Sequence, residues 1–368
     1  MFTSIESVLL FPGQGGYDER FLSELALRHP EVGLAFSEID DVSARFGGRS
    51  ISDQLLRGRT PSLDVLLSEN PDLLQLAIYG TSVSAFRVAT AEGIRGDVFV
   101  GHSFGEVAAL VAAGAYSIGE GAEIVFRRNA VLRDTAIESG AMLAVAADRQ
   151  RIERLLDVIG DPYTVIAVEN GPTQTVVTGP KAAITAIGTI TAALGVSTKL
   201  LASPYPFHSP MLAKGVGELS RQLQHLPGGP LLTPVYSPML GRHLRPTDHL
   251  GEYLAGGLVN PVWFGTALRK LHDDGARSFL ECGAGRALSG IVARNLPGVK
   301  ATSLVPGEHL AAPAADAVPQ PAQVARRSRA EVFSEVASMY ASALEYPVEV
   351  FTDAVAGHRA ITDPEAWN

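Results

Sequence analysis

The sequence predicts an α/β fold: a large domain on a parallel sheet, interrupted by a smaller ferredoxin-like unit. Three observations predict it. The apolar stretch Val98-Phe99-Val100 runs into Gly101-His102-Ser103-Phe104-Gly105 and then into a small-residue helix from Val107, the strand–turn–helix order of a nucleophile elbow. Between Gly140 and Leu201 the pattern changes to β-α-β-β-α-β, the split unit of ferredoxin-like folds. Alternating helices and strands of the first kind resume after residue 206, which makes the unit an insertion.

In chain order, Val8-Leu9-Leu10-Phe11 reads as a buried strand closed by Pro12-Gly13-Gln14-Gly15-Gly16, a loop whose glycines let backbone amides approach a ligand closely. Helical patterns cover 20–46 with breaks, and 70–90 with Pro71 suited to a first turn. A helix over 117–138 opens on a Ser117/Glu120 capping box. The inserted unit reads as a strand 142–146, a helix 149–159, strands 165–168 and 175–178, a helix 181–194 and a strand 196–201. Beyond it come a helix 216–226, a strand 234–237, a helix 264–273 and a strand 277–281. The expected boundaries are 1–139 plus 206–305 for the large domain and 140–205 for the insertion. Alanine and proline mark 306–328 as a linker, and 329–368 as a tail that opens on one amphipathic helix. Phe333 to Phe351, with Tyr346-Pro347-Val348-Glu349-Val350-Phe351, faintly resembles the first helix and following loop of an acyl carrier protein, but no phosphopantetheine site follows before Asn368, so a packed or docking helix is expected.

With 368 residues, 46% hydrophobic and 19% charged, the chain has the composition of an ordinary globular protein. A net charge of −9 argues against nucleic acid or an anionic membrane as the main partner. One cysteine, Cys282, excludes an internal disulfide framework, and scattered histidines give no metal site. The first ten residues lack a signal peptide's pattern, and no apolar run is long enough to span a bilayer. A monomeric cytoplasmic protein is expected.

Ser103 is the candidate nucleophile, and a hydroxyl needs a base. His208, in the proline- and aromatic-rich loop Ser203-Pro204-Tyr205-Pro206-Phe207-His208, is the candidate. His102 is its rival, but as Ser103's neighbour on a sharp turn its side chain should point elsewhere. No Asp or Glu is placed to complete a triad, so a backbone carbonyl is expected to orient the imidazole. The amide of Phe104 supplies one half of an oxyanion hole, and that of Gln14 the other if the two strands are neighbours. The glycine loop fits neither common phosphate-binding fingerprint.

Phe11-Pro12-Gly13-Gln14-Gly15, Gly101-His102-Ser103-Phe104-Gly105-Glu106 and Phe207-His208-Ser209 together resemble the signature regions of the malonyl-CoA:acyl-carrier-protein transacylases, which include the acyltransferase domains of polyketide synthases. Gly140-Ala141-Met142, Asn170-Gly171-Pro172, Val177-Thr178-Gly179, Asn260-Pro261-Val262 and Glu281-Cys282-Gly283 extend the resemblance over about residues 6–300. It implies an α/β-hydrolase-like large domain with a ferredoxin-like subdomain, a Ser103–His208 dyad and an oxyanion hole from Gln14 and Phe104. It also singles out Arg128, 25 residues after the serine, to grip an acyl carboxylate through two hydrogen bonds. Tyr205, Phe207 and Met142 would line the acyl pocket. The tetrad Tyr205-Pro206-Phe207-His208 mixes the family's malonyl and methylmalonyl patterns, with Phe207 on the malonyl side. Gly257 stands where the family has the Asn or Gln whose carbonyl orients the histidine, and Gly283-Ala284-Gly285 replaces Gly-Pro-Gly.

The resemblance implies an acyltransferase that moves a malonyl unit from coenzyme A to the phosphopantetheine of an acyl carrier protein, with no bound cofactor. It would serve polyketide or fatty-acid biosynthesis in trans. Carrier proteins are acidic, so Arg127, Arg133, Arg149, Arg151 and Arg154 are candidates for docking. The alternatives are transfer of an unusual acyl group between carriers, an editing hydrolase, and a non-catalytic binding module.

Overall fold

The computed structural model describes residues 5–58, 60–135 and 140–306. The expected linker and tail helix fall outside the described residues. The described strands are β1 (Ser7–Phe11), β2 (Val98–Gly101), β3 (Gly140–Val145), β4 (Val165–Gly171), β5 (Gln174–Pro180), β6 (Thr198–Leu200), β7 (Tyr236–Ser237), β8 (Arg242–His243), β9 (Val262–Trp263), β10 (Ser278–Glu281) and β11 (Lys300–Ser303).

The first sheet has the order β11-β10-β1-β2, and every pair in it is parallel. Its inner strand β1 carries a continuous buried apolar run, Val8 to Phe11, as expected where helices cover both faces. Phe11 pairs with Gly101, so the glycine loop after β1 and the elbow after β2 leave the sheet side by side. The expected strand 234–237 is shorter. Val235 makes only a parallel bridge to Phe99, and β7 turns away to pair with β8. Pro234 has no N–H to donate, and Pro238 follows at once.

Helices Glu19–Arg28 and Pro30–Arg45 are separate, because Pro30 cannot sit inside a helix but suits the first position of one. Helix Pro71–Ala91 is capped by Asn70 and buried on nearly all sides over its first four turns. Helix Ile118–Asp134 carries the expected capping box. Helices Ile51–Leu55, Leu63–Glu69, Leu250–Gly256 and Ala287–Asn295, and strand β11, were not foreseen. The helices are two or three turns at most, too short for a periodicity to stand out. β11 reads Lys-Ala-Thr-Ser, an edge strand without an apolar run.

The second sheet has the order β6-β3-β5-β4-β9. Its first four strands, with helices Arg149–Ile159 and Lys181–Ala193, reproduce the β-α-β-β-α-β reading. The fifth, β9, comes from outside the insertion and lies parallel to β4. The two sheets are also tied by side chains. Thr266 N donates to Glu169 Oε2 at 2.8 Å, Arg269 donates to Glu169 Oε1 and Asn295 Oδ1, and Asn295 Nδ2 donates to Asn170 O at 2.8 Å. Gly265 is required at this seam, since a Cβ there would lie 2.8 Å from Gly171 Cα.

Candidate active site

Glycine makes the elbow. A Cβ on Gly101 would stand 2.3 Å from Glu106 Cα, and one on Gly105 2.0 Å from Phe11 O. Gly13 of the neighbouring loop approaches as closely, 2.7 Å from its would-be Cβ to His102 O and 3.4 Å to Phe104 N. The turn holds Ser103 at φ +57°, and the base loop holds His208 at φ +60°. These are the two non-glycine residues at positive φ among the described residues, a conformation that persists only where its surroundings over-determine it.

Ser103 Oγ lies 2.6 Å from His208 Nε2, and His208 Nδ1 lies 2.7 Å from the carbonyl oxygen of Asn260. A carbonyl only accepts, so Nδ1 carries the proton and Nε2 presents its lone pair to the serine hydroxyl. Burial lowers the imidazole's pKa to about 4, and the bond to Asn260 opposes that fall. The base is therefore neutral at pH 7. The orienting residue is Asn260 and not Gly257, which corrects the expectation. Gly257 caps helix Leu250–Gly256 in helical conformation. After it the chain runs through a hydrogen-bonded turn in which Asn260 N donates to Gly256 O; there Leu258 O accepts from His208 N at 2.8 Å, and Asn260 O, two residues on, meets the ring.

His102 does not compete. Its Nε2 lies 2.9 Å from Asn170 Oδ1, its ring stands edge-on to Phe264 at 4.7 Å, and burial keeps its pKa below the usual value. The amides of Gln14 and Phe104 donate to no backbone carbonyl among the described residues, and Phe104 N starts helix Gly105–Ala112, where negative charge is favoured. Glu106, one residue into that helix, is a buried carboxyl whose pKa burial raises to about 8. Tyr253 donates to Ser237, which donates towards Glu106, so the carboxyl braces the elbow against the helix that leads to Asn260.

Arg128 is brought to the dyad by helix Ile118–Asp134. Its guanidinium sits 5.0 Å from the centre of the Phe104 ring and 4.6 Å from that of Phe207, which flank the nucleophile and the base in sequence. No carboxylate pairs with it among the described residues. Burial lowers its pKa to about 10, so it stays charged at neutral pH. Among the described residues its hydrogen-bond partner is Gln75, whose Oε1 accepts from Nη1 at 3.2 Å. Gln75 was missed in the sequence, and the available signal was an amide inside the buried run 73–85 of helix Pro71–Ala91. Tyr205 packs edge-on to Phe207, and Met142 is buried in the same apolar core as both phenylalanines.

The five candidate docking arginines fall on two helices. Arg127 pairs with Glu123, Arg133 with Asp72, and Arg149 with Glu153 while lying over the Trp263 ring. Among the described residues no helix is long and apolar enough to cross a membrane, and no cluster of three or more acidic, His or Cys side chains could hold a metal.

A partly buried serine–imidazole pair beside two amides free of backbone partners, and a guanidinium that pairs with no described carboxylate, suits acyl transfer. Comparison with known proteins agrees. A family model described as the acyl transferase domain matches residues 8–327. The polyketide synthase GfsA of Streptomyces halstedii is 30% identical over 306 residues, 82% of this chain but only 4% of that protein. Among solved structures, the malonyl-CoA:acyl carrier protein transacylase of Xanthomonas oryzae is 28% identical with a TM-score of 0.74, covering 83% of this chain and 96% of the other. A malonyl-transacylase solved in complex with a type II polyketide synthase acyl-carrier protein is 26% identical with a TM-score of 0.72, covering 81% and 94%. The chain belongs to the acyl transferase domain family.

Proposed function

We propose that the chain transfers a malonyl-type acyl group from coenzyme A to the phosphopantetheine thiol of an acyl carrier protein through an acyl-Ser103 intermediate. The observation that carries the substrate class is Arg128, a buried cation that pairs with no carboxylate among the described residues. A dicarboxylic acyl group brings that carboxylate. The likeness to a malonyl-transacylase that binds an acyl-carrier protein supports the acceptor.

Ser103 Oγ attacks the thioester carbonyl while its proton passes to His208 Nε2. The amides of Gln14 and Phe104 receive the oxyanion. Collapse breaks the C–S bond, and His208 returns the proton to the departing sulfur. The carrier's thiol then gives its proton to His208 and attacks the acyl-serine, the C–Oγ bond breaks, and His208 returns the proton to Ser103 Oγ, which frees the serine and makes the kinetics ping-pong. Asn260 holds the imidazole's tautomer throughout, and the steps need only this chain's groups and the two thiols. The large domain (1–139 and 206–305) supplies the dyad, and the inserted unit (140–205) forms the other wall of the site.

Incubation with malonyl-CoA and intact-mass analysis tests the reading. The expected result is a single malonyl adduct on Ser103, absent in Ser103→Ala and discharged by a phosphopantetheinylated carrier protein. No adduct from malonyl-CoA, or discharge to water that the carrier accelerates, would overturn it.

A further inference from the structure

Gln75 has a donor that none of the described residues uses. Its side chain is buried at 3% exposure, Oε1 accepts from Arg128 Nη1, and Nε2 is shut off from solvent without a hydrogen-bond partner. The orientation of this amide follows from chemistry alone. Arginine has donors and no acceptor, so the oxygen must face Arg128 and the NH2 group must face away. Leaving a buried amide donor unpaired is costly, and such a group in a native site calls for an explanation.

We propose that Gln75 is a second recognition residue for the acyl carboxylate, donating from Nε2 to the group that Arg128 grips. The inference rests on the reading of Arg128 given above. Only one carbon separates the orphaned donor from the oxygen that holds the guanidinium. A carboxylate docked on Arg128 has lone pairs to spare, since two oxygens offer about four acceptor sites and a bidentate arginine uses two. The same contact fixes the guanidinium between the Phe104 and Phe207 rings before substrate arrives, which lowers the cost of ordering it on binding. Gln75 would thereby raise the preference for a dicarboxylic over a monocarboxylic acyl group.

The test compares kcat/KM for acylation of Ser103 by malonyl-CoA and by acetyl-CoA, which differ only in the carboxylate. Gln75→Leu keeps the approximate volume and removes both polar atoms. The malonyl-over-acetyl ratio is expected to fall by about tenfold to a hundredfold, the span of a hydrogen bond to a charged group. Gln75→Glu sets a carboxylate of the protein on Arg128 and should abolish malonyl loading while leaving a folded enzyme by circular dichroism. A merely structural role would lower both donors equally. An equal loss, an unchanged ratio in Gln75→Leu, or malonyl loading by Gln75→Glu at the parent rate would each overturn the inference. Arg128→Ala separates the two readings: if it erases the malonyl preference and Gln75→Leu keeps it, only the role of Gln75 fails. If Arg128→Ala keeps the preference, the carboxylate reading itself fails.

Discussion

Replacing Arg128 with methionine should cost the enzyme its substrate and cost the fold almost nothing. Burial takes the guanidinium well below its usual value, to about 10, and at about 1.4 kcal/mol per tenfold keeping it charged costs on the order of 3 kcal/mol. Against this stand two ring contacts at 5.0 and 4.6 Å and one hydrogen bond to Gln75, each worth about 1 kcal/mol. The terms nearly cancel, so Arg128→Met should lie within about 1.5 kcal/mol of the parent in urea unfolding. An arginine kept for structure behaves otherwise, since removing one partner of a buried ion pair costs about 3–5 kcal/mol. Free malonate supplies the complementary measurement. At a hundred times its dissociation constant it should stabilise the parent by about 2.7 kcal/mol and raise its melting temperature by several degrees. The variant should show no such rise, and its malonyl-CoA acylation should fall by orders of magnitude. A loss of 3 kcal/mol or more, together with a malonate effect that survives the substitution, would refute the reasoning.

Further outcomes follow from the dyad and the elbow. Because His208 titrates at about 4, acylation by malonyl-CoA should be level from pH 7 to about 5 and fall tenfold per unit below about 4. Rapid-quench intact mass would measure this, and an acid limb near 6.5 would contradict it. The same depressed value weakens the fold as pH drops from 6.5 towards 4, since the unfolded chain binds a proton that the buried ring refuses. Gly105→Ala puts a methyl 2.0 Å from Phe11 O and 2.9 Å from Pro12 O. Backbone cannot yield as a side chain does, so a stability loss of at least about 2 kcal/mol and failure to form the acyl-serine are expected. Gly33→Ala is the control. It sits inside helix Pro30–Arg45 with nothing within 4 Å of the added methyl, and should gain about 0.5–1 kcal/mol.

What the sequence made legible was what local chemistry dictates. The Gly101–Gly105 spacing implied the elbow, Ser117 and Glu120 the start of a helix, and the change of rhythm at Gly140 the inserted sheet. The dyad and Arg128 were named from motif and register, and the folded chain brings all three together. Asn260 was missed for a different reason. Any residue of that segment offers a carbonyl, and only the path of the chain past the end of helix Leu250–Gly256 decides which one meets the ring. Gln75 was missed because helix Pro71–Ala91 reads as core, and an amide there looks like an irregularity until Arg128 is seen beside it. β9 escaped because two residues carry no period, and its partner β4 is remote in sequence.

That pairing bears on how the chain can be cut and recombined. The sheet of the inserted unit is completed by Val262–Trp263, so its boundary in space differs from its boundary in sequence. A graft limited to 140–205 would bring four strands and leave the fifth behind, exposing the outer edge of β4 and orphaning the carboxylate of Glu169. The transplantable module is 140–205 together with 258–271, which carries β9, Thr266 and Arg269. That second segment also begins with the carbonyls that hold His208, so a recombination boundary drawn at this sheet passes through the catalytic base.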